Sequence, residues 1–208
     1  MISGYLGVAV AEQPVPAQGQ DGTNTDLGQD RAHSARMYDY YLGGKTNYVV
    51  DREAAQEVIR VVPAIETVGK VNRAYRHRAV RYLARQGIRQ FIDVGTGITT
   101  SPNRHDVAQE VAPDCRVVYV DNDPIVLVYA DELLDGTPEG RTAYVQANAT
   151  KPDEVWAAVR ERNILDPELP VALSLHALMH FVTDSQEPYE IVRSLLEPLP
   201  PGSYLSLS

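Results

Sequence analysis

The stretch from Phe91 to Asp123 constrains this chain more than any other. It reads F-I-D-V-G-T-G-I-T-T-S-P, passes through a helix-like segment, and returns as R-V-V-Y-V-D-N-D. Two short apolar runs each end in an acid, and the first opens into glycines. A buried strand that ends at Asp93 and turns at Gly95 and Gly97 brings backbone close to a ligand, because only a residue without Cβ leaves room there. The second run ends at Asp121, about where a strand-end carboxylate in such folds meets a ribose diol. The two together predict a nucleoside site at the carboxyl edge of a parallel sheet.

The rest of the chain extends the same rhythm. Apolar runs over 90–94, 116–120, 142–146, 171–175 and 203–207 read as strands, and the segments between them have helical periodicity. Strands alternating with helices pair in parallel through right-handed crossovers, so the fold class is α/β, a doubly wound, mostly parallel sheet. Asp123-Pro124 is a helix start, an N-cap acid before a proline, for a helix running through Val126, Leu127, Ala130, Leu133 and Leu134 to Gly136. Pro152 opens another, with Val155, Trp156 and Val159 inward, and a last one spans 187–196.

Ahead of the sheet, residues 1–30 are rich in Gln, Gly, Asp, Thr and Pro and without periodicity, and read as a disordered tail. Residues 31–89 form a helical unit. Met37, Tyr38, Tyr41 and Leu42 lie at helical spacing before a Gly43-Gly44 stop; three tyrosines in four positions cannot all face one core, so either Tyr38 and Tyr41 pack with Tyr40 outside, or the segment is a lid whose rings and glycine backbone cover a ligand. Asp51 reads as an N-cap for a helix ended by Pro63. A longer helix over 65–86 is expected to bury Val68, Val71, Tyr75, Ala79, Tyr82 and Leu83, leaving Arg73, Arg76, Arg78, Arg81 and Arg85 on a solvated face. Residues 90–208 form the core.

Three ligand classes share a glycine turn after strand one and an acid after strand two. A dinucleotide site usually has a third glycine and helix amides open to a pyrophosphate. Here Gly95-Thr96-Gly97-Ile98-Thr99-Thr100 puts threonine in the third place, and Asp93 adds a negative charge, so an NAD-dependent oxidoreductase is disfavoured. Asp93 suits a cationic amino group and Asp121 a ribose diol. S-Adenosylmethionine carries both, with a sulfonium that aromatic faces stabilise.

These motifs resemble the S-adenosylmethionine-dependent methyltransferase family found mainly in actinobacteria and long catalogued as a domain of unknown function. The resemblance runs through A-R-M-Y-D-Y-Y-L-G-G-K-T-N-Y, D-R-E-A-A, V-N-R-A-Y, R-Q-F-I-D-V-G-T-G, S-P-N-R-H-D-V-A-Q, V-V-Y-V-D-N-D-P-I-V-L, H-F-V and P-P-G-S-Y-L. It implies a class I (Rossmann-like) methyltransferase fold. Asp93, Gly95, Thr96 and Gly97 would lie around the methionine end, and Asp121 and Asn122 around the ribose. Tyr38, Gly43, Gly44, Lys45, Asn72 and Arg73 would belong to the lid. After strand three the family pattern D-A-D-x-R-D-P is replaced by Gln146-Ala147-Asn148-Ala149-Thr150-Lys151-Pro152, so Asn148, with Ala149 beside it, stands where an acid would accept from the adenine amino group. An amide oxygen can accept the same bond. The sequence stops at strand five, two strands short of the related folds, which leaves that strand as an open edge suited to a homodimer.

Methyl transfer from a sulfonium needs orientation, and a base only where the acceptor loses a proton. His180, just past strand four, is the first candidate and His176 the second. Their spacing could serve a metal, but the glutamate of H-E-x-x-H is missing, so no metal is expected. The expected activity is methylation of a small molecule, with a cofactor-binding protein without turnover as the alternative. The formal net charge of −9 disfavours nucleic acid, no run approaches the roughly 20 apolar residues of a membrane span, and the opening residues lack a secretory pattern, so a cytoplasmic protein is expected. The lone Cys115 excludes an internal disulfide and reads as a semi-buried thiol.

Overall fold

The fold is that of a computed structural model, which describes residues 28–98, 101–126 and 136–208. Most of the expected tail, residues 1–27, and most of the expected helix after Pro124 lie outside the described residues. Gly28 is already buried, its carbonyl accepting from Arg36 Nη2 at 3.1 Å.

Three helices lead in: α1 (Ser34–Tyr41), α2 (Val49–Val61) and α3 (Ile65–Arg85). Then come β1 (Gln90–Val94), α4 (Arg104–Val111), β2 (Arg116–Asp121), β3 (Arg141–Gln146), α5 (Pro152–Glu161), β4 (Val171–Leu175), α6 (Pro188–Leu196) and β5 (Tyr204–Leu207). The five strands form one parallel sheet in the order β3-β2-β1-β4-β5. The outer edge of β5 is unpaired among the described residues, with Tyr204, Leu205 and Leu207 exposed.

β1 and β4 are buried along their whole length, which is why they read as continuous apolar runs. Alternate residues face opposite layers. Phe91, Val117 and Tyr119 pack with Val80, Leu83 and Ala84 of α3 and Val107 and Ala108 of α4. Ile92, Val94, Val118 and Leu173 pack with Val155, Trp156 and Val159 of α5 and Ile191 and Leu195 of α6. Leu195 is wholly buried, so its truncation to alanine should cost about 2–5 kcal/mol. Cys115 is buried too, and burial pushes its thiol pKa up to about 11.

Two local expectations are corrected. Asp51 is not the N-cap of α2: the cap is Tyr48, and Asp51 sits three residues later, accepting from the Tyr48 amide at 2.8 Å. It is drawn inward because Arg36, also buried, pairs with it at 3.1 Å and the His33 amide donates to it at 2.8 Å. The inner face of α3 is also different. Of the expected set only Leu83 is buried, while Val68, Val71 and Tyr82 are more than half exposed. At about 3.6 residues per turn, Gly69, Asn72, Arg73, Arg76, Val80 and Leu83 share the packed face. Gly69 meets Tyr38, Tyr41 and Leu42 of α1 at 3.7–3.8 Å. A polar stripe faces inward because it has partners there, as the next section describes.

Candidate functional site

The site begins at the tip of β1. Asp93 is 1% exposed, and both its oxygens are taken: Oδ1 accepts from Arg104 Nη2 at 2.8 Å and Oδ2 from Arg76 Nη2 at 3.0 Å. Arg104, the first residue of α4, also donates to Ser174 Oγ at 2.6 Å and to His176 Nδ1 at 3.1 Å. A guanidinium can only donate, so His176 Nδ1 accepts and its Nε2 carries the proton, 2.8 Å from Ser206 Oγ. Burial, then the charge of Arg104, pushes the His176 pKa down to about 3. Tyr75 meets the same imidazole edge-on at 5.4 Å between ring centres. One polar network therefore ties the tips of β1, β4 and β5 to α3 and α4. Asp93, expected to meet a ligand ammonium, is neutralised by arginines, and His176, expected as a second base, has both ring nitrogens in use.

After β1 the chain turns through Gly95 and Gly97 at φ +72° and +67°, conformations costly for any residue with a Cβ. A Cβ on Gly95 would also lie 2.7 Å from Leu178 Cδ1. Thr96 between them is structural, its hydroxyl donating to the Asp93 carbonyl at 2.8 Å. Asp121, at the end of β2 and 8% exposed, closes on this turn: Oδ2 accepts from the Gly97 amide at 2.7 Å and Oδ1 from the Asp123 amide at 3.0 Å. Burial raises its pKa, and those two amides pull it back. Asn122 is exposed beside it, with its carbonyl accepting from Gln146 Nε2 at 3.3 Å. Asp123 caps the next helix through the Ile125 amide at 3.0 Å, as expected.

The N-terminal helices cover the turn. Ala35 of α1 stands 4.0 Å from where a Cβ on Gly97 would be. His33 Nδ1, just before α1, lies 3.3 Å from the Ala35 amide and 2.9 Å from Asp123 Oδ2; bare, it accepts from Ala35 and caps the helix, and carrying a proton it donates to Asp123 instead. The hydrogen bond with Asp123 raises the His33 pKa against the opposing effect of burial. Tyr38 donates to the Gly69 carbonyl at 3.0 Å, and Asn72 Nδ2 lies 3.4 Å from the Tyr38 hydroxyl, so both hold α1 against α3. Gly43, at φ +80°, and Gly44 end α1; a Cβ on Gly44 would fall 1.9 Å from Asp39 Oδ1. Lys45 is exposed.

On the far side, Asn148 Oδ1 accepts from both the amide and the hydroxyl of Thr150, at 3.0 and 2.9 Å. Both lone pairs of that oxygen are used within its own turn, which leaves Nδ2, a donor, for any ligand. Ala149 packs against the second core cluster. His180 is exposed on a single 3₁₀ turn, Met179–Phe181, with its ring 4.1 Å from that of Phe181, and burial lowers its pKa.

A cleft of ≈ 510 Å³ opens between the Gly43-Gly44 turn and α3, lined in part by Lys70, Arg73, His77 and Ser101. Arg73 donates to the Pro102 carbonyl at 3.3 Å. Sequence reasoning missed His33, Arg36, Arg76 and Arg104 as members of this assembly. One signal was available: Arg104 is a cation in the first turn of a helix, where the helix dipole disfavours it, so a buried acid had to compensate. Among the described residues no cluster of His, Cys, Asp or Glu is arranged for a metal ion, and no helix is long and apolar enough to cross a membrane.

A parallel sheet in this order, with a glycine turn after β1, an acid ending β2 and a helical N-terminal unit, has the class I methyltransferase arrangement. The family model described as S-adenosyl methyltransferase matches residues 20–208, and the chain belongs to that family. A DUF574 family protein from Streptomyces avermitilis MA-4680 is 53% identical, with a TM-score of 0.84 over 87% of this chain and 70% of that one. A candidate methyltransferase from Thermobifida fusca YX is 37% identical, with a TM-score of 0.80 over 86% of this chain and 68% of that one. No curated protein matches the chain.

Proposed function

We propose that the protein transfers a methyl group from S-adenosylmethionine to a small molecule, with the cofactor held at the carboxyl ends of β1 to β4. The observation that carries this reading is the Asp121 carboxylate set 2.7 Å from the amide of Gly97, in a turn whose two glycines both have positive φ. The residues fit the group: each Asp121 oxygen accepts one backbone amide and keeps a lone pair for a ribose hydroxyl. Bare backbone at Gly95 and Gly97 allows the close approach that a Cβ would block.

S-Adenosylmethionine, when bound, supplies a methyl group activated on a sulfonium. Its departure needs no proton donor, so the work of the chain is orientation and exclusion of water. Asp121 orients the ribose. α1 closes the site through Ala35 over Gly97 and the His33–Asp123 pair, and this latch must part for entry. Asp93 holds Arg76 and Arg104 in place, and His176 is a positioning residue behind them. His180, whose pKa is pushed down by partial desolvation, is assigned as the base for acceptors that must lose a proton.

Mass spectrometry of a small-molecule panel incubated with methyl-labelled S-adenosylmethionine tests the reading. Asp121→Ala should abolish transfer, and His180→Gln should slow it by about 10²–10⁴-fold for acceptors that lose a proton. Undiminished transfer by Asp121→Ala refutes the site. A binding protein without turnover is the second reading; the Asn148 oxygen, already committed to Thr150, is not open to adenine, a loss that bears on affinity under either reading. Tight adenosylhomocysteine binding with no methylated product is the signature of that second reading.

A further inference from the structure

We propose that the cleft between the Gly43-Gly44 turn and α3 receives the anionic group, a carboxylate or a phosphate, of the molecule that accepts the methyl group. The inference rests on the methyl-transfer reading above and names the substrate class. At ≈ 510 Å³ the cleft has room for a one- or two-ring molecule. Among the described residues its formal charges are all positive, Lys70 and Arg73, although the chain as a whole has a net charge of −9. A local field opposite in sign to the whole protein is a selective feature, because it attracts anions and repels cations.

The surroundings strengthen the field. Arg76 and Arg104 lie behind Arg73 and are committed to Asp93. Arg73 is pushed below its ordinary pKa, by burial first and then by Arg76, with Asp39 beneath Gly44 offsetting part of the charge. His77 cannot serve as a further cation: burial, then Arg73 and Arg76, pushes its pKa down to about 4, so it offers a hydrogen bond alone. Gly44 has no space for a side chain, and the turn therefore presents backbone to whatever enters. Arg73 and His77 also line a smaller cavity that reaches Thr96 and Ile98 on the glycine turn. An anion seated between Lys70 and Arg73 thus directs the rest of its molecule toward the proposed methyl donor.

The methionyl carboxylate of the cofactor is the other possible source of the anion, and calorimetry separates the two. Adenosylhomocysteine and 5′-methylthioadenosine, which lacks the carboxylate, are titrated into the wild-type protein and Lys70→Glu. Adenosylhomocysteine affinity should change less than about threefold in the variant. A tenfold or greater loss, with methylthioadenosine affinity unchanged, assigns the cations to the cofactor and overturns the proposal. In a second arm, 4-hydroxybenzoate, phenyl phosphate and 4-hydroxybenzamide are titrated with adenosylhomocysteine present. At least one anion should bind ten times more tightly than the amide, and Lys70→Glu should abolish the difference. Equal binding of all three probes, or a preference that survives Lys70→Glu, overturns the proposal alone. Absence of adenosylhomocysteine binding to the wild-type protein refutes the methyl-transfer reading, and this inference with it.

Discussion

Replacing Asp93 with asparagine keeps the size of the side chain and removes its charge. It strands two guanidiniums, of which Arg104 has a side chain 3% exposed and Arg76 one 15% exposed. Arg104 would keep its bonds to Ser174 and His176 but lose the carboxylate that pairs with it. Breaking a buried pair by removing one partner costs about 3–5 kcal/mol, because a buried charge is left uncompensated. With a urea m-value of about 2–3 kcal/mol/M, the unfolding midpoint should fall by about 1–2.5 M. Arg76→Met should cost roughly half as much, since Arg104 still holds Asp93 and Arg76 is nearer water. Urea denaturation followed by circular dichroism and Trp156 fluorescence measures both. A midpoint for Asp93→Asn within about 0.5 M of wild type would refute the claim that this acid holds the strand tips together.

Other perturbations probe the lid and the turn. Gly44→Ala puts a methyl 1.9 Å from Asp39 Oδ1 and should destabilise by about 1–3 kcal/mol; unchanged thermal stability would contradict the packing. Gly95→Ala, at φ +72° and 2.7 Å from Leu178 Cδ1, should abolish adenosylhomocysteine binding measured by calorimetry, and wild-type affinity would contradict the assigned turn. His33 has a raised pKa through Asp123, so its contribution is fully present below about pH 6.5, its unfolded value, and is lost as pH rises through the folded value. Wild type minus His33→Gln stability, measured by urea titration from pH 5.5 to 8.5, should therefore shrink with rising pH; a flat difference would count against the latch.

The strands were legible because their apolar runs are short and bounded, and the observed bounds fall within a residue or so of those expected from sequence. The glycine turn and the two strand-end acids were legible for the same reason, since local sequence fixes them. The inner face of α3 was not. Periodicity assigned Val68, Val71 and Tyr82 to the core, but the helix turns a stripe of Asn72, Arg73 and Arg76 inward, toward Tyr38 and Asp93. Hydrophobic pattern cannot foresee that choice, because it depends on partners far along the chain. The Arg36–Asp51 pair was hidden for the same reason, although each residue stood within a motif already singled out. Asn148 shows a third limit: its residue type allowed it to accept from adenine, but Thr150, two residues on, uses its oxygen first.

A crystal structure of the protein with adenosylhomocysteine is the decisive measurement. Both ribose hydroxyls should lie on the Asp121 carboxylate, with the thioether beside Gly95 and Gly97 and α1 folded over the nucleoside. A nucleoside bound elsewhere, or an Asp121 carboxylate that keeps its bond to Gly97 and touches no ligand, would contradict it.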